Sequence, residues 1–121
     1  MKNTPLEIER GMINKNIELQ RSIEEIPKLI DRKVQAERNY DVAVSKKTLE
    51  LKTSGNPITL ITKMVAGDKV ISELNLECNL ATELLKLQYR KLKAIEIMIT
   101  SYQSMHSLRR IEYQKAHIQE G

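Results

Sequence analysis

The side chains that could do chemistry are few in this sequence. Its 121 residues hold two histidines, His106 and His117, and one cysteine, Cys78. No cysteine or paired carboxylates stand at metal-ligand spacing from either histidine, and a metal site needs three or four donors. A lone cysteine cannot form an internal disulfide, and Cys78 in a leucine-rich stretch reads as a small buried apolar residue. Serine and threonine are plentiful, yet no strand–turn–helix serine motif occurs, and four glycines are too few for a phosphate-cradling loop. The expectation is a protein with no metal, no cofactor and no catalytic step.

Cations are the remaining candidates. Arg32, Lys33, Arg38, Lys46, Lys47 and Lys52 gather in one segment, and Lys86, Arg90, Lys91 and Lys93 in another, with Arg109, Arg110 and Lys115 beyond. A surface that tracks a nucleic-acid backbone needs several cations, often with aromatic platforms for the bases. Tyr40 and Tyr89 lie near these clusters, although tyrosine also packs ordinarily in helix seams. Charge is distributed unevenly. Residues 1–31 carry 5 basic and 6 acidic side chains (−1), 32–53 carry 6 and 3 (+3), 54–85 carry 2 and 4 (−2), and 86–121 carry 7 and 3 (+4). Such quarters suit either attraction between neighbouring subunits or basic strips for a polyanion; charges scattered over solvated helix faces give the same pattern.

The elements that must carry these residues are helical. The composition is 40% hydrophobic but only 3% aromatic, all of it tyrosine, and 30% charged, which suits long helices packed along seams. The fold class expected is all-α: a long helical hairpin with an additional N-terminal helix, in one domain over residues 1–121. Thr4, Pro5 and Glu7 form a capping-box start for a helix over 4–26. Its apolar side is read from Leu6, Met12 or Ile13, Ile17, Ile23, Ile26 and Ile30, and Gly11 weakens its first turns. Pro27 predicts a kink or break near 24–27. A second helix over 28–54 presents Ile30, Val34, Tyr40, Val44, Leu49 and Leu51, with Ala36 and Ala43 at close approaches. The turn 55–57 follows a helix-ending Gly55, with Asn56 as N-cap and Pro57 as first helical residue.

Residues 58–66 alternate in a way that could suit a strand, but nothing pairs with them, so a short helix ending at Gly67 is expected. From 68 to 119 the sequence has neither glycine nor proline. Heptads place Ile71, Cys78, Leu85, Leu92 and Ile99 on one row, with His106 continuing it. Leu74, Ala81, Gln88, Ile95 and Tyr102 form the other. Ile71, Leu74, Leu85, Leu92, Ile95 and Ile99 are the candidate seam, for the core and for contacts between copies. Leu80, Leu84, Leu87, Met98, Met105 and Leu108 widen the apolar stripe beyond a two-helix seam. That surplus predicts an obligate homo-oligomer of hairpins.

The order of landmarks from Val44 to Gly55 (VSKKTLELKTSG), then Ala66-Gly67-Asp68-Lys69-Val70, then the basic tail Tyr102–Ala116, resembles the UvsY family of recombination mediators of T-even phages over roughly residues 30–116. In that family a lysine and an arginine two residues apart precede the Ser-Gly. Lys47 matches the lysine, while Leu49 stands in the arginine's place, so Lys46 and Lys52 would have to substitute. The family's two tyrosines before Ser-Gly are Lys52 and Thr53 here. The resemblance implies a phage-encoded accessory protein acting in the host cytoplasm, which binds single-stranded DNA as a homo-oligomer, a hexamer or heptamer. It implies contacts with a recombinase and a single-stranded-DNA-binding protein, and help to the former in displacing the latter. The candidate DNA-binding residues are Lys46, Lys47, Lys52, Arg32, Lys33, Arg38, Lys91 and Lys93. The competing expectation is a helical structural or interaction protein, such as a phage adaptor or an inhibitor of a host factor, indifferent to nucleic acid. No secretory leader or apolar run of spanning length is apparent, and the lack of Phe and Trp argues against a membrane-surface helix.

Overall fold

A computed structural model describes residues 4–120, with side chains as far as Ile118. Three helices make up nearly all of it: α1 (Pro5–Thr53), α2 (Ile58–Ala66) and α3 (Lys69–Glu120). Among the described residues there is no strand, so the all-α expectation holds and residues 58–66 are helical.

The helix starts follow the local sequence closely at two of three places. Thr4 and Glu7 cap α1 reciprocally: the Glu7 amide donates to Thr4 Oγ1 at 3.2 Å, and the Thr4 amide donates to Glu7 Oε2 at 3.0 Å. Asp68 Oδ2 accepts from the Ile71 amide at 3.0 Å and caps α3. At α2 the expected Asn56 cap is not made. Pro57 takes the N-cap position with no side-chain cap, and the Asn56 amide group turns back to Leu51 O at 3.0 Å. The reason lies in the end of α1. Gly55 adopts φ 84°, and the amides of Gly55 and Asn56 donate to Lys52 O and Leu51 O at 3.0 and 3.2 Å. Asn56 thereby belongs to the closure of one helix and is lost to the start of the next.

The break expected at Pro27 is absent. α1 runs unbroken from Pro5 to Thr53 with Pro27 inside it, where two helices, 4–26 and 28–54, were expected. Proline lacks only one amide and crowds one preceding carbonyl, and packing along the rest of a helix can outweigh that local loss.

Contacts group the chain into two compact units, Met1–Glu25 with Gln88–Gly121, and Ile26–Leu87. In each unit a stretch of α1 packs antiparallel on a stretch of α3 through a heptad seam. On α3 the seam follows the rows read from the sequence: Ile71, Ala81 and Ile95 are buried, and Leu74, Cys78, Leu85, Leu92 and Ile99 are half-buried.

On α1 the seam agrees with the expected residues only in part. The covered residues recur at alternating steps of three and four: Ile8, Met12, Lys15, Leu19 and Ser22 in the first unit, then Ile26, Leu29, Lys33, Ala36, Tyr40, Ala43 and Lys47 in the second. Of the residues read as its apolar side or close approaches, Leu6, Ile13, Ile17, Ile23, Ile30, Val34 and Leu49 are exposed, whereas Met12, Ile26, Ala36, Tyr40, Ala43, Val44 and Leu51 are buried or half-buried. Three lysines at seam positions account for the difference. Their methylene stems lie along the apolar seam while the ammonium groups reach its rim. Lys15 meets Glu18 at 3.1 Å, Lys33 meets Glu37 at 3.8 Å and Lys47 meets Asp68 at 3.8 Å.

Candidate nucleic-acid interface

The cations gathered at the end of α1 separate once they are placed on the helix. Lys47 is a seam residue, its ammonium held beside the Asp68 carboxylate that caps α3. Lys33 is likewise at the seam and paired with Glu37. Arg32 flanks the seam and reaches Glu77 of α3 at 3.7 Å. These three carry charges already balanced within the chain. Such partly exposed pairs are worth only a few tenths of a kcal/mol up to about 1 kcal/mol, so their role is chiefly to neutralise and orient.

Arg38, Lys46 and Lys52 are different. All three are exposed and, among the described residues, none makes an ion pair. They follow one another at intervals of eight and six residues, roughly 10 Å apart along α1 at 1.5 Å per residue, and spread over about a third of its circumference. No carboxylate occurs between Asp41 and Glu50, which leaves Lys46 on a stretch of one sign. At this end Ile58, Ile61 and Val65 of α2 line a hollow together with Val44, Thr48 and Lys52 of α1. Ile61 is buried there.

Lys91 and Lys93 lie in the other unit and are both exposed. Lys91 borders a cleft of 610 Å³ together with Glu18, Arg21, Ser22, Glu25 and Gln88. Two carboxylates in that lining make it a poor cradle for phosphate. The Gln88 amide donates to Ser22 O at 3.0 Å, whereas the buried Ser22 hydroxyl has no partner. Arg109 and Arg110, near the end of α3, line a small hollow with Pro5, His106 and Tyr113. The Tyr113 and His117 rings stack at 5.4 Å.

Of the tyrosines, Tyr40 is half-buried in the seam and Tyr102 packs on Gly11, while Tyr89 is 48% exposed. Tyr89 and Tyr113 are the exposed tyrosines, and both belong to the unit that does not hold Lys46. Cys78 is half-buried, and burial first, then Glu37, Asp41 and Glu77, pushes its thiol pKa up. No group of three or more His, Cys, Asp or Glu that could hold a metal occurs among the described residues. No described helix is long and apolar enough to cross a membrane.

The separation of paired from unpaired cations was not readable from spacing alone. What could have signalled it is the seam step of three and four running through Lys33, Ala36, Tyr40, Ala43 and Lys47, which places both lysines on the covered side. Compared with models of known protein families, with curated proteins and with solved structures, the chain matches none.

Proposed function

We propose that this chain is a non-catalytic recombination mediator that binds single-stranded DNA as a homo-oligomer and promotes loading of a recombinase onto strand covered by single-stranded-DNA-binding protein. The observation that carries the reading is the cluster Arg38, Lys46 and Lys52, three exposed cations near the end of α1 that enter none of the ion pairs seen among the described residues. The resemblance of residues 30–116 to the UvsY family supplies the reaction setting: the recombinase and the single-stranded-DNA-binding protein as partners, a hexamer or heptamer as the assembly, and the host cytoplasm as the place. No cofactor takes part. Phosphates would sit against Arg38, Lys46 and Lys52, with Lys47 positioning the helix end through Asp68. Three phosphate contacts per copy bind weakly, but repetition around an oligomer turns them into avidity and holds the strand extended.

Fluorescence anisotropy with an oligonucleotide of single-stranded DNA, titrated over a salt series, tests this. Each phosphate contact to single strands contributes about 0.7 to the slope of log affinity against log salt. Changing Arg38, Lys46 and Lys52 to alanine should therefore lower the slope by about 2 per copy engaged, whereas Lys47→Ala should leave it unchanged. Absence of salt-sensitive binding by the unaltered protein would end the mediator reading.

A second reading, a helical interaction protein without nucleic-acid binding, draws on the exposed apolar side chains of both long helices. It expects a stable complex whose affinity ignores oligonucleotide.

A further inference from the structure

We infer that the hollow beside the start of α1 takes one unpaired base of single-stranded DNA, stacked against Tyr113. The inference rests on the reading of the chain as a DNA-binding protein. It adds a base contact, in the unit to which Arg38, Lys46 and Lys52 do not belong.

Four side chains of α3, His106, Arg109, Arg110 and Tyr113, line this hollow of 240 Å³, and Pro5 of α1 completes it. All five residues lie in the unit formed by Met1–Glu25 and Gln88–Gly121. Steps of three, four and seven from His106 set the four on one stripe of the helix. Each of the four is planar: a phenol ring, an imidazole and two guanidinium groups. These are the side chains on which unpaired bases stack. The hollow is smaller than the roughly 300–1,000 Å³ of pockets that enclose a drug-sized ligand. It suits one flat ring, with sugar and phosphate left outside. A phosphate alone would engage the guanidinium groups and leave the tyrosine ring unused, whereas a base uses every member of the lining.

Seam packing does not account for these residue types. His106 and Tyr113 continue, at heptad step, the row Ile71, Cys78, Leu85, Leu92 and Ile99, and Arg109 continues the row through Ile95 and Tyr102. Counting seven residues along each helix from the Gly11–Tyr102 contact sets Thr4 at the level of Arg109. The rows thus turn from apolar to planar and cationic where α1 begins. Nor does the helix dipole account for the arginines. It favours cations within the last turn, and α3 continues from Arg110 for about three more turns, to Glu120.

The charge around the hollow suits a strand. Residues 97–111 include no carboxylate. Glu7, close to Pro5 in the chain, is engaged by the Thr4 amide in the helix cap. Arg110 is exposed and enters none of the ion pairs seen among the described residues. Its guanidinium is available to the phosphate next to a seated base. Tyr113 is 67% exposed, and its ring already stacks with that of His117 at 5.4 Å and 19° between planes. A base on Tyr113 extends that stack.

Fluorescence anisotropy at low salt tests the contact by comparing two strands of equal length and charge. One is an oligothymidylate, and the sugars of the other carry no base. The unaltered full chain should bind the first at least about tenfold more tightly, the effect of one stacked base. Tyr113→Leu should close that gap and leave the salt slope unchanged, because a stacking contact neutralises no phosphate. Tyr113→Phe should keep the gap, since stacking needs the ring and not the hydroxyl. Tyr113 lies outside the covered seam, so neither change removes core packing. Equal binding of the two strands by the unaltered protein, or a gap that survives Tyr113→Leu, would overturn the inference and leave the backbone contacts standing. Binding of neither strand would overturn the DNA reading and this inference together.

Discussion

The Tyr102 ring lies against the α-carbon of Gly11: a Cβ built on Gly11 would stand 2.5 Å from two ring carbons and 2.8 Å from the hydroxyl oxygen. Gly11 thus serves as a socket on α1 for a large side chain of α3, within the unit formed by Met1–Glu25 and Gln88–Gly121. A glycine that weakens its own helix by about 1 kcal/mol relative to alanine is retained where closeness of approach repays the loss.

Gly11→Ala should accordingly destabilise the protein by about 1 kcal/mol, since displacing a packed ring costs about 1–3 kcal/mol against the propensity gain of about 1 kcal/mol. In a Tyr102→Ala background the sign should reverse, and Gly11→Ala should stabilise by about 1 kcal/mol. Denaturant unfolding of the four proteins measures both effects. Equal effects of Gly11→Ala in the two backgrounds would show that the ring does not need the socket.

Lys46 and Lys47, adjacent in the chain, should respond oppositely to leucine. Lys47 already lies in the seam, so Lys47→Leu exchanges a weak rim ion pair for apolar burial and should stabilise by about 1 kcal/mol. Lys46→Leu places an apolar group in water and should change stability by less than about 0.5 kcal/mol. Thermal unfolding with circular dichroism compares them. A stabilisation by Lys46→Leu that matched Lys47→Leu would move the seam off its assigned step.

Cys78 supplies a pH dependence. Burial and the neighbouring carboxylates Glu37, Asp41 and Glu77 disfavour the thiolate in the folded chain, so the folded pKa lies above the unfolded one. Between those two values the folded state binds more protons than the unfolded state, and stability falls as pH rises. The contribution is complete below the unfolded pKa and is lost as pH rises through the folded one, in the alkaline range. Cys78→Ala should flatten this alkaline fall in melting temperature. Alkylation of Cys78 by iodoacetamide at neutral pH should be slower than that of a free thiol.

How much of this could be read from the sequence differs between the two long helices. On α3 the seam is built of Ile, Leu and Cys at strict heptad spacing, and the rows from Ile71 to Tyr102 coincide with the covered residues. The capping box of Thr4 and Glu7 and the turn at Gly55 were legible for similar reasons, because each depends on side chains within three or four residues. On α1 the apolar signal held for Met12, Ile26, Tyr40, Val44 and Leu51 but failed at several isoleucines. Ile13, Ile17, Ile23 and Ile30 are more hydrophobic than Lys15, Ser22, Lys33 and Ala36, yet the latter are the ones covered. What decides the matter is the partner helix, whose Tyr102 needs Gly11 and whose seam leaves room for small and snorkelling residues. Of the kink or break read at Pro27 the break is absent, because packing on either side can offset the local penalty. The basic cluster was legible as a cluster but not as two populations, because the Lys47–Asp68 and Arg32–Glu77 pairs join residues distant in sequence.

The polar members of the α1 seam carry a consequence for how the hairpin keeps its place. Antiparallel rods with uniform greasy contacts could slide by a heptad at little cost, since every notch would look alike. Here Lys15, Ser22, Lys33 and Lys47 interrupt the sequence of notches at unequal intervals, and the carbonyl of Ser22 meets Gln88 in one setting. Sliding one heptad would part the half-buried Gln88 amide from the Ser22 carbonyl, and Lys47 from Asp68. The chain behaves like a key whose irregular teeth sacrifice grip for a single permitted alignment.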